Sequence, residues 1–197
     1  MQFKKTELFG GAITVDFPEG YADVSTIRQV PDHQEVYLAT NGFSSIIVEL
    51  NQRVPSSKAA TDAAALKYHL DDLNDADDKV QVLEAKNMVL TQFPAGTSTS
   101  LLLATTSRPA PRSPPRTPIP KITGLILLLV RLIPQETDVL VTVNLPYMPG
   151  EFEEGDVDVE GGRIGGRILE DGKAIMEVVV RSLEVRDWGL FGSEQTE

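Results

Sequence analysis

The amino-acid sequence predicts an α+β domain built on a mainly antiparallel sheet with a helix packed on each side. Three observations lead there. Short apolar runs with period-two alternation, bounded by Gly, Pro, Asn or Asp, recur through the first fifty residues and again between residues 80 and 145. Two other segments, one opening at Ser57 and one near the end, place apolar residues at helical spacing instead. The order is strands, one helix, more strands, a last helix.

Taken in order, residues 12–15, 35–38 and 45–50 read as strands. Residues 23–32 between the first two are too short and too Pro-bounded for a full helix, and suit an ordered polar loop whose turn is capped by Asp23 or Ser25. From Ser57, Ala59, Ala63, Leu66, Leu70 and Leu73 line one helical face, capped by Ser56 or Ser57. Lys58, Asp62, Lys67, Asp71 and Asp72 form the wet face of that helix. Strands are expected again at 80–83, 89–93 and 98–105.

Residues 107–121 hold six prolines and four basic residues without an acid. Proline denies both ladder and helix, so an extended, mobile insertion is expected there, with PxxP ligands at Pro111–Pro114 and Pro115–Pro118 as the functional alternative. Residues 122–133 and 138–145 read as adjacent antiparallel strands, and the unbroken apolar run 125–130 demands a central strand covered on both faces. The acidic, Gly-rich stretch 147–166 reads as a solvated loop. Ile168, Ile175, Val179 and Ser182 mark the final helix, followed by a Trp188–Gly192 tail.

A chain of 197 residues, 41% hydrophobic and 24% charged, is the size of one domain spanning 1–197, and can bury a core. Twenty-nine acidic against 18 basic residues leave a net charge of −11, which repels phosphate backbones and anionic lipid. Nucleic acid and membranes are therefore poor partners, and a protein with a basic face is a good one. The absence of cysteine excludes disulfides, thiolate metal sites and thiol nucleophiles. No signal-like apolar run follows the first lysines, and the run at 122–130 is cut by Arg131 and Pro134, so neither secretion nor a membrane span is expected.

Catalytic chemistry is not visible. The two histidines, His33 and His69, have no nucleophile in a recognisable turn, and His69 with Asp72 reads as a structural pair on a helix. The aspartates at 71, 72, 75, 77 and 78 lack the order of a calcium loop, and the glycines at 161–166 lack the order and the preceding strand of a phosphate cradle. No covalent catalysis, metal or cofactor is expected.

The block Leu8-Phe9-Gly10-Gly11-Ala12-Ile13, followed by the run from Asp23 to Tyr37, closely resembles the Ran guanine-nucleotide release factors, the Mog-type proteins of nuclear transport. Residues 45–50, 68–73, 137–139, 142–146 and 190–192 extend the resemblance in order over most of the chain. It implies an αβα sandwich with a mainly antiparallel twisted sheet flanked by helices, similar to an extrinsic subunit of the photosystem II oxygen-evolving complex. It also implies a non-enzymatic, monomeric protein of nucleus and cytoplasm that binds Ran, promotes nucleotide release and supports nuclear import. Glu49 falls on a family position implicated in Ran binding. Three residues later the family commonly has another acid where this chain has Gln52, leaving a hydrogen bond in place of a charge contact.

With that resemblance, Asp23, Arg28, Asp32, Gln34, Glu35 and Glu49 are expected to form a mainly acidic docking patch at one end of the sheet. Alternation should turn Glu35 and Tyr37 to one face and Val36 and Leu38 to the other, one face entering the core and one meeting the partner. A non-catalytic adaptor recruiting partners through residues 107–121 is the second reading.

Overall fold

The computed structural model describes residues 1–24, 29–109 and 117–192. Strands β1 (Phe3–Leu8) and β2 (Ile13–Pro18) make an antiparallel hairpin. Seven strands then build the main sheet: β3 (Tyr21–Asp23), β4 (Gln34–Ala39), β5 (Ser45–Gln52), β6 (Lys79–Asn87), β7 (Ser98–Ser107), β8 (Thr123–Leu132) and β9 (Thr137–Pro146). All neighbours are antiparallel, in the spatial order β3-β4-β5-β9-β8-β7-β6. Helix α1 (Asp62–Asp72) joins β5 to β6, and α2 (Gly166–Ser182) follows a small hairpin of β10 (Val157–Asp158) and β11 (Arg163–Ile164). The two-residue β12 (Glu184–Val185) then adds to β2.

The apolar run of β8 explains the layering. Leu125, Leu127 and Leu129 turn to one face, where α1 supplies Leu66 and Leu70 and the neighbouring strands supply Leu102 and Leu140. Ile126, Leu128 and Val130 turn to the other, against Ile175, Met176 and Val179 of α2 and Val15 and Phe17 of β2. A strand hydrogen-bonded on both edges and covered on both faces favours apolar side chains, and all six of these residues are buried. Each contributes about 1.5–3 kcal/mol of apolar burial.

Several local expectations need correction. Helix α1 begins at Asp62: Lys58 and Ala59 donate instead to the Pro55 carbonyl in a turn, and Thr61 is the cap, its hydroxyl accepting the Ala64 N–H at 3.2 Å. Residues 89–93 are no strand; Leu90 and Phe93 anchor a loop in the core while Val89 stands exposed. Gly10 and Gly11 lie in the tight turn between β1 and β2, both at positive φ, where glycine is unstrained. Most of 147–166 is tied down, for Thr105 Oγ1 donates to the Gly162 carbonyl at 2.8 Å and the Tyr147 hydroxyl to the Gly165 carbonyl at 2.7 Å. The expected insertion falls between β7 and β8, with residues 110–116 outside the described ones.

Candidate functional site

The end of the sheet where β3 and β5 finish and β4 and β9 begin gathers most of the expected docking residues. Antiparallel register sets Gln34 of β4 opposite Glu49 of β5, which puts both side chains on the α1 face. Gln34 Nε2 donates to Glu49 Oε1 at 2.6 Å. Glu49 is only 8% exposed. Burial pushes its carboxyl above the ordinary range, against the lowering effects of the Gln34 hydrogen bond and of His33 and His69; Asp72 adds a further push upward. No second donor among the described residues reaches this carboxylate.

Glu35 faces the opposite way. Its Oε1 accepts the backbone N–H of Phe9 at 2.8 Å, closing the β1–β2 turn in which Phe9 itself has φ +50°. Tyr37 shares that face and is core, its ring edge-on to Phe17 at 5.0 Å; burial, then the charges of Glu35 and Asp23, push its hydroxyl up to about 12. The expected division of β4 into a core face and a partner face is therefore corrected. Val36 is buried too, so β4 is covered on both faces at Val36 and Tyr37, and of the four residues 35–38 only Leu38 is well exposed.

The other expected residues scatter around this end. Asp23 closes β3, half-buried and opposite Tyr37. Asp32 is exposed in the turn before β4, and Gln52 is exposed at the last position of β5. Arg28 lies outside the described residues. The structure thus brings Gln34 and Glu49 together, with Asp32 and Gln52 nearby in sequence at the same strand ends, and separates Glu35 and Asp23 onto the other face.

Beneath Glu49 lies a buried ionic network that the sequence does not announce. Asp138 of β9, wholly buried, accepts from the Val54 N–H at 2.9 Å and Arg131 Nε at 3.1 Å, and its Oδ2 lies 3.0 Å from His69 Nε2. Desolvation alone would raise its carboxyl, but the bonds from His69, Val54 and Arg131 outweigh it and hold Asp138 below the usual range. Arg131 continues to Asp62 Oδ1 at 3.0 Å and to the Val54 carbonyl at 2.8 Å. The network joins β8, β9, α1 and the segment after β5, so it fixes the backbone on which Gln52 stands. His69 is consequently a buried structural group bonded to Asp138, not a surface partner of Asp72. A lone acid opening one apolar strand and a lone arginine ending its neighbour were the only local signals.

Beside the network, Gln52, Lys58, Tyr68 and Asp72 border a shallow depression of about 240 Å³, with Lys58 Nζ 5.5 Å from the Tyr68 ring centroid. The depression itself carries Arg53 and Lys58 beside a single carboxylate, Asp72, so the carboxylates this sheet end could offer a cationic protein surface are Glu49 and Asp32 rather than those of the depression. Among the described residues no group of three or more His, Asp or Glu side chains is disposed to hold a metal ion, and no helix is long and apolar enough to cross a membrane.

Comparison with known proteins gives a consistent result. The family described as "Ran-interacting Mog1 protein" matches residues 6–146. The chain is 30% identical over 198 residues to a probable Ran guanine nucleotide release factor of Dictyostelium discoideum, covering 96% of each. It is 32% identical to the nuclear import protein MOG1 of Saccharomyces cerevisiae over 78% of this chain and 71% of that one. The crystal structure of the Saccharomyces cerevisiae Ran-binding protein Mog1p superposes with a TM-score of 0.71 at 26% identity, covering 97% of this chain and 99% of the other.

Proposed function

The chain belongs to the Ran-interacting Mog1 family, and on that premise we propose that it binds Ran, promotes loss of the bound guanine nucleotide and so serves nuclear protein import. It acts by binding, in nucleus and cytoplasm, with no bond made or broken by its own side chains. The observation that carries the reading is Glu49: a carboxylate kept at 8% exposure with its carboxyl raised by burial. An apolar side chain would be cheaper there for folding. A poorly solvated anion with one donor among the described residues interacts strongly with a cation brought to it, because the interaction is screened less than at an open surface.

Nucleotide release follows from differential affinity. A factor that holds the nucleotide-free GTPase more tightly than the loaded one shifts the equilibrium toward release, and by no more than that difference. In this reading Glu49, assisted by Gln34, Asp32 and Gln52, takes up basic groups that become available when the nucleotide leaves. The net charge of −11 accelerates the encounter. The test is release of a fluorescent guanine nucleotide from purified Ran. Replacing Glu49→Lys should slow factor-dependent release by tenfold or more, the scale of a truncated and reversed buried charge contact, with the circular dichroism spectrum retained. Undiminished release by the folded variant would reject the assignment.

A further inference from the structure

Helix α2 packs chiefly on β2, β9 and β8, and beside it the β6–β7 flank of the same sheet face opens into a cavity of about 410 Å³. That volume is within the ordinary range of small-molecule sites. Its floor is apolar and well formed: Leu103, Ile126 and Met176 are buried core residues, and Leu101 and Val180 are half-buried at its sides. Along α2, Lys173, Met176, Glu177, Val180 and Arg181 recur at i, i+3, i+4, i+7 and i+8, so one helical stripe forms one wall.

The opposite wall depends on a β-bulge. With regular alternation after Val82, Leu83 and Ala85 would oppose Leu103 and Leu101. The register instead shifts between Val82 and Glu84, opposing Glu84 to Leu103 and Lys86 to Leu101. One extra residue thus re-aims two charged side chains over an apolar floor, a use of bulges found beside functional sites.

The charges at the mouth do not cancel. Lys86 pairs with Glu84 at 2.8 Å and Arg181 with Glu177 at 3.3 Å. Lys173, exposed on α2, makes no ion pair among the described residues, though Glu84 feels its charge in addition to that of Lys86. Three cations against two anions leave one positive charge unmatched, on a chain whose net charge is −11.

We propose that this groove binds a small amphipathic monoanion, an aliphatic chain seated on Leu101, Leu103, Ile126 and Met176 with its carboxylate at Lys173. The excess of one cation at the rim matches one head group, and the bounded apolar floor suits one chain. The site lies on the α2 face, whereas Glu49 lies on the α1 face, so this proposal stands or falls independently of Ran binding.

The four methionines supply the test. Met88 and Met176 line the groove, while Met1 and Met148 do not. In full-length protein carrying ¹³C-methyl methionine, decanoate below its micelle concentration should produce saturable shifts at Met88 and Met176 only. Octanoate should bind roughly tenfold more weakly, the effect of two fewer buried methylenes. Lys173→Glu, at an exposed helix position, should weaken decanoate by about threefold to tenfold with the spectrum otherwise intact. Val180→Trp, which fills the groove from its half-buried rim, should abolish the shifts while leaving Met1 and Met148 unmoved. The proposal is overturned if Met88 and Met176 show no saturable response or all four methyls shift together. Equal affinity for decyltrimethylammonium, indifference to Lys173→Glu, or saturation only by an acidic amphipathic peptide would overturn it as well.

Discussion

Replacing Asp138→Asn should cost about 3–5 kcal/mol of folding stability, the range for breaking a buried ion pair. The structure shows where the loss arises. Asp138 receives three donors with both oxygens and is wholly buried. The amide retains one oxygen, which can satisfy Arg131 Nε; its nitrogen then faces His69 Nε2, which can accept in its other tautomer, and also faces the Val54 N–H, which cannot. An orphaned buried N–H costs about 1–3 kcal/mol, and the weakened charge pair with the 6%-exposed Arg131 supplies the rest. Urea unfolding followed by Trp188 fluorescence and by circular dichroism measures the change. Its pH dependence has a fixed sign: because the folded carboxyl is held below its unfolded value of about 3.9, the stabilisation is complete above that value and is lost as the pH falls through the folded one. Parent and variant should therefore converge in strong acid. A loss under about 1 kcal/mol at neutral pH, or a difference that persists in strong acid, would refute the reasoning.

Two further substitutions probe the same architecture. Glu49 has its carboxyl raised by burial, so its ionised form detracts from stability above the folded value and the deficit vanishes as the pH falls through it; Glu49→Gln should gain up to about 1 kcal/mol at neutral pH, gain nothing in acid, and lose Ran affinity, as chemical denaturation and titration of Ran will show. Gly172→Ala would bring a methyl to within 2.5 Å of Leu145 Cδ1, 2.8 Å of Cδ2 and 3.1 Å of Cγ; overpacking of about 1–3 kcal/mol should outweigh the roughly 1 kcal/mol of helix propensity gained, and a raised melting temperature would mean that Leu145 yields freely.

The sheet was legible where burial leaves a local trace. Leu125 to Val130 could only be a strand covered twice, and Ile168 to Ser182 carries helical spacing because one side of α2 meets the core. Errors occurred where apolar residues serve loops: Leu90 and Phe93 read as a strand although each is a separate anchor, and Ala59 extended the apparent helix back across a turn that Pro55 closes. At the sheet end where β4 begins, register joins Gln34 to Glu49, whereas alternation could not say that Tyr37 faces core and that Glu35 closes the Phe9 turn. The bulge in β6 left no sequence mark at all, since Leu83 is as good a strand residue as those it displaces.

What distinguishes the two acids on the α1 face is the number of their donors. Glu49 lies opposite Leu140, and Asn51, two residues on, lies opposite Asp138, so both carboxylates occupy neighbouring rows of one sheet face. His69 influences both, bonded to Asp138 and acting on Glu49 through its charge. Asp138 has three donors and a lowered carboxyl; it is satisfied within the chain and any partner would compete with Arg131 and Val54. Glu49 has one donor among the described residues and a raised carboxyl. The same burial therefore makes one acid a brace and leaves the other with a single donor among the described residues, so a positive group brought to either would gain more at Glu49 than at Asp138. Composition counts these carboxylates as equal, and only the register across β5 and β9 tells them apart.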